Sequence, residues 1–145
     1  MKKIIIAIGI VLLGFTACKQ ENKLATDYNE TMKEALAAHD AVMPKMGTLG
    51  MLREDIKKKA ATDTITANQE RYQEAIGKLE EAHHLMMNWM KDFSNEFPNA
   101  LSKEVLSDDV YKEKLPLLKE QAEKAEEMKN AINSSIKNAQ ELLKK

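Results

Sequence analysis

The chain has 145 residues, enough for one domain, with 31% charged and 5% aromatic residues, 5 Gly and 3 Pro. That balance fits long helices and excludes a turn-rich sheet protein. A formal net charge of −1 and a single Cys exclude the basic footprint of a nucleic-acid binder and any disulfide framework.

The first segment reads as a targeting signal. Lys2 and Lys3 precede an uncharged apolar run from Ile4 to Phe15, which is well short of the roughly 20 residues that a spanning helix needs. Thr16 and Ala17 then lead into Cys18, the pattern of a bacterial lipobox, with Phe15 where Leu is more usual. Residues 1–17 are therefore expected to be a lipoprotein signal peptide, and 18–25 the lipidated Cys18 and a polar tether. Residues 26–145 form the folded domain. Two or more acyl chains, at about 0.8 kcal/mol per buried methylene, hold a protein stably on a membrane. Lys19 beside the Cys, rather than Asp, points away from inner-membrane retention. The expected location is the cell envelope, at the outer membrane, on its periplasmic or surface face.

In the mature chain, Tyr28, Met32, Ala35, His39, Val42, Met46 and Leu49 recur by alternating steps of four and three. This is the seam of a coiled-coil-like helix. The helix should run to about Lys59 and kink at Pro44, whose ring clashes with the carbonyl of Asp40 and which has no N–H to donate. Ala60 to Thr64 is the expected turn, with Thr62 or Thr64 as cap. A second seam comprises Tyr72, Ile76, Leu79, His83, Met86, Met90, Phe93 and Phe97, and Pro98-Asn99 ends that helix. After a connection with Ser102 and Ser107 as candidate caps, a third helix spans about Asp109 to Leu143. Its stripe includes Leu115, Leu118, Ala125, Met128, Ile132 and Ala139. The fold class is all-α: an antiparallel up-down-up three-helix bundle with coiled-coil-like packing, a monomer or weak dimer.

Methionine is the unusual feature, with 9 in the chain. His39, Met43 and Met46 share one helix face, as do His83, Met86, Met87 and Met90, because residues three, four and seven apart line up along a helix. If the first hairpin turns near Ala61 or Thr62, His39 comes level with His83 or His84, and Leu36 with Met87. Imidazole and thioether donors together suit Cu(I). The candidate ligands are His39, Met43, His83, Met86 and Met87, with Met46 and Met90 ranked below them. Asp40 or Glu80 would orient an imidazole through its second nitrogen. A packing explanation fits the same pattern. Methionine at a seam fills a core at about 1.5–3 kcal/mol per side chain without any ligand, and the imidazoles could pair with one another, with Asp40 or Glu80, or with water.

Other chemistries lack their ligands. Glu80 and His83, like Glu81 and His84, have the spacing of a carboxylate di-metal bundle, but the first helix carries no matching motif. There is no C-x-x-C-H, Walker, H-E-x-x-H or G-x-S-x-G sequence. No catalytic constellation emerges, so the expected protein is not an enzyme.

The runs His39-Asp40-Ala41-Val42-Met43-Pro44-Lys45-Met46-Gly47, Ala82-His83-His84-Leu85-Met86-Met87-Asn88-Trp89-Met90-Lys91-Asp92-Phe93 and Asn130-Ala131-Ile132-Asn133-Ser134-Ser135-Ile136 resemble a group of uncharacterised Bacteroidota lipoproteins, some labelled "viral A-type inclusion protein". The resemblance implies the lipoprotein class and no particular activity. The leading functional expectation is an envelope lipoprotein that binds Cu(I). The alternative is a structural or protein-interaction module of the envelope without metal.

Overall fold

The computed structural model describes residues 23–102 and 104–144, and these are helical apart from short connections. The expected signal segment and Cys18 lie outside the described residues. Helix α1 spans Lys23–Asp40, α2 Met46–Thr62, α3 Thr66–Glu96 and α4 Asp108–Leu143. Lys23 to Ala25, expected as tether, are already helical. Among the described residues no helix is long and apolar enough to cross a membrane.

Three arms pack together. The first is bent and consists of α1 and α2 in tandem; α3 and α4 are the others. Helix α1 lies on α4, whereas α2 touches both α3 and α4. The bend falls where Pro44 predicts it. Met43–Lys45 form a single 3-10 turn with Pro44 in its first positions, and the backbone tightens to Val42 N–H donating to the His39 carbonyl (3.0 Å) and Lys45 N–H to the Val42 carbonyl (2.8 Å). Shorter loops of this kind avoid the clash that Pro44 would make in a continuous helix. Val42 plugs the joint and is fully buried.

One continuous core runs the length of the bundle, with Leu49, Ile56, Leu79, Met86, Leu118, Met128 and Ile132 essentially sealed from solvent. Along α3 the buried line is Tyr72, Ile76, Leu79, Ala82, Met86, Trp89, Phe93 and then Phe97. It departs from the expected seam at two places, where Ala82 replaces His83 and Trp89 replaces Met90. Burying the indole brings more apolar area than the thioether, and turning His83 outward spares an imidazole that would need partners. The Trp89 indole N–H is satisfied by donating to the Gln121 carbonyl on α4 at 2.9 Å.

The α2–α3 turn comprises Asp63 to Ile65, and Asp63 organises it instead of Thr62 or Thr64. Its carboxylate accepts from the Ile65 N–H (2.9 Å), from Asn68 Nδ2 (2.8 Å) and from the Tyr72 hydroxyl (2.9 Å). These bonds hold the Asp63 carboxyl below the ordinary aspartate range, the Ile65 N–H contributing most. Thr62 bonds back to the Lys59 carbonyl at 3.0 Å and caps nothing. At the start of α4, Ser107 occupies the cap position without a side-chain cap bond. Ser102 Oγ accepts from the Glu104 N–H at 3.0 Å. Asp108 and Asp109 lie in the first turn of α4, where negative charge favours the helix dipole.

Candidate functional site

The sequence-derived His/Met donors do not converge on one buried site. His39 is half-buried; Nδ1 lies 2.9 Å from Asp40 Oδ1, and Nε2 is buried without a hydrogen-bond partner. Asp40 is thus the neighbour that orients the His39 ring. The ring of His39, however, stacks on Trp89, with centroids 5.4 Å apart and planes at 23°. His83 and His84 are both exposed and meet each other edge-on at 6.0 Å. Trp89 stands six residues beyond His83 on α3, about 9 Å along the axis and roughly 120° around it, so the partner of His39 is on a different face from His83.

The methionines divide in the same way. Met86 is 1% exposed and belongs to the core, Met46 is half-buried, and Met43, Met87 and Met90 are exposed. Glu80 pairs with Arg53 Nη1 at 3.8 Å instead of an imidazole. The mismatch has a simple origin. The turn is centred on Thr64, two to three residues later than expected, and each residue of displacement in a hairpin turn moves the facing partner by two. Among the described residues no group of three or more His, Cys, Asp or Glu is placed to hold a metal ion.

A different feature stands out, which the seams did not reveal. His39, Trp89, Phe93, Phe97, Tyr28 and Tyr111 form an unbroken ladder of rings. Centroid separations are 4.6 Å for Trp89–Phe93, 5.3 Å for Phe93–Phe97, 6.5 Å for Phe97–Tyr28 and 5.3 Å for Tyr28–Tyr111. Offset and tilted pairs at such distances add about 0.5–1.5 kcal/mol each beyond their buried area. The ladder climbs from the middle of the bundle to the end where α1 starts and the α3–α4 connection crosses. The signal in the sequence was Trp89, Phe93 and Phe97, spaced four apart.

That end is open. A cavity of about 230 Å³ lies between Tyr28, Phe97, Leu106, Tyr111 and Lys114. Burial raises the Tyr28 phenol above its ordinary value, and Tyr111 beside it adds to the effect. The Tyr111 hydroxyl accepts from the Leu106 N–H at 3.3 Å. Lys114 Nζ lies over the Phe97 ring, 5.8 Å from its centroid, and donates to the Glu96 carbonyl at 3.3 Å. Deeper in, the fully buried Gln121 donates from Nε2 to Glu96 Oε2 at 3.2 Å. On the connection itself Leu101 and Val105 are 86% and 84% exposed.

These features define an all-helical protein of three packed arms, with an aromatic end and several exposed methionines. No protein-family model, curated protein or solved structure matches the chain.

Proposed function

We propose that this protein is a non-enzymatic, lipid-anchored lipoprotein of the cell envelope, of the kind the Bacteroidota resemblance implies, whose helical bundle works by contact with an envelope protein and not through a metal. The arms run up, down and up. In support, Trp89 and Glu96 of α3 meet Gln121 and Lys114 of α4 in opposite order. Tyr28, Lys45 and Lys59 meet Tyr111, Asn133 and Leu143 in the same order.

The observation that carries the reading is a set of large apolar side chains left in solvent, among them Met90, which the heptad seam assigns to the interior. Met43, Met51, Leu85, Met87 and Met90 are all exposed. With the turn centred on Thr64 and His39 stacked on Trp89, Met43 comes level with Leu85 and Ala41 with Met87, so the exposed methionines of the two arms stand at similar heights. This makes a methionine flank on the α2–α3 side. Flexible, polarisable methionines suit a surface that moulds itself to a partner, and clustered exposed apolar groups mark interaction sites.

The test is photo-crosslinking in cells. A crosslinking residue at Met87 or Met51 should give one discrete adduct, while one at exposed Lys78 should give none. Absence of adducts across the flank refutes the interaction reading. Elemental analysis of the purified protein that finds about one equivalent of copper, lost in His83→Ala with Met87→Leu, replaces it with the metal reading. An intact mass carrying acyl chains on Cys18, abolished by Cys18→Ala, tests the anchor.

A further inference from the structure

We propose that the aromatic end of the bundle rests on the bilayer that carries the anchor, with Leu101 and Val105 entering its interfacial region. The proposal depends on the lipid anchor at Cys18 put forward above.

The length of chain between anchor and fold confines the geometry. Helix α1 begins at Lys23, five residues after Cys18, and five extended residues span at most about 18 Å. Whatever path that segment takes, the start of α1 stays close to the membrane surface. Helix α4 has 36 residues, roughly 54 Å at 1.5 Å per residue, so the Asp63 turn stands far from the surface when the long axis is upright.

The α3–α4 connection shares the near end. Ala100, Ser102, Glu104 and Leu106 line the same cavity as Tyr28 and Asn29 of α1, so Leu101 and Val105 are carried on a segment packed beside the first turns of α1. These two are the most exposed large apolar residues of the described chain. A lipid surface accounts for both, because apolar side chains on a tethered protein gain burial in the acyl boundary without needing a shaped partner. The half-buried Tyr28 lines the cavity beside that segment, and tyrosine, with an apolar ring and a polar tip, favours the level of the headgroups.

The experiment uses the full-length lipoprotein in vesicles of phosphatidylethanolamine and phosphatidylglycerol. Single cysteines are introduced as Leu101→Cys, Val105→Cys and, at the opposite end, Thr64→Cys, and are labelled with an environment-sensitive fluorophore. All three positions are exposed, and unchanged circular dichroism verifies the fold. An acylated Cys18 has no free thiol and takes no label. Probes at 101 and 105 should shift to the blue and lose emission when nitroxide-bearing lipids are added, while the probe at 64 does neither. Unshifted probes at 101 and 105 overturn the proposal. A blue shift that lipid nitroxides do not quench also overturns it, since protein and not lipid then covers this end. The intact mass separates the two levels. Protein without acyl chains, which would also label at Cys18, removes the anchor and the docking together. Acylated protein with unquenched probes removes the docking alone.

Discussion

The two ends of the bundle solve the same problem, reversing the chain between helices, in opposite ways. At the α2–α3 end three residues suffice. Asp63 gathers an N–H, an amide and a phenol, Gln69 donates to the Ala60 carbonyl at 2.7 Å, and Lys59 reaches the Leu143 carbonyl at 3.1 Å. These bonds close that end, with the side chain of Ile65 left exposed. At the α3–α4 end the chain takes a longer route from Phe97 to Ser107, supported by rings around a cavity, and leaves Leu101 and Val105 in solvent. One end is organised by hydrogen bonds to a single carboxylate, the other by ring contacts around a cavity.

Four substitutions sharpen this contrast. The largest effect is expected at the aromatic end. Phe97→Ala removes the ring that joins α3 to Tyr28 and leaves space beside an existing cavity, so chemical denaturation should show a loss of about 3–5 kcal/mol. Asp63→Ala at the polar end should lower the melting temperature by less. It should also change the response to acid. The folded-state pKa of Asp63 is depressed, so its contribution is present above the ordinary aspartate range, near pH 4, and is lost as pH falls through the lower folded value. The acid sensitivity below pH ~4 should therefore be weaker in Asp63→Ala than in the parent. Gly77→Ala, between the two ends on α3, meets open space at the added Cβ and should raise stability by about 0.5–1 kcal/mol. Leu101→Ser should leave stability within about 0.5 kcal/mol of the parent, because the side chain is 86% exposed. A large loss there would mean that the connection is packed, not presented.

Much of the architecture was legible in the sequence. The spacing places Val42, Leu49 and Leu79 inward and all three are buried, and Pro44 marks the break between α1 and α2. The candidate site was less legible, for two physical reasons. Alternating steps of four and three leave a choice between neighbours at each turn of the helix, and burial favours the more apolar one: the buried line takes Ala82 over His83 and Trp89 over Met90, and rejoins the seam at Met86, Phe93 and Phe97. The turn was assigned to threonines, because the ability of one aspartate to hold Ile65, Asn68 and Tyr72 together depends on a folded arrangement that spacing alone does not reveal. The resulting change of register carried His39 to Trp89 and away from His83. The exposure of Leu101 and Val105 had no periodicity to announce it.

The joint at Val42–Met46 has a mechanical consequence. Because the 3-10 turn replaces the continuous helical ladder there, α1 and α2 are separate rods. A pull applied at Lys23 would load α1 lengthwise along α4, so that resistance is shared as shear over many side chains. The joint would be the place where the strain stops, leaving the α2–α3–α4 portion intact while the first rod slides.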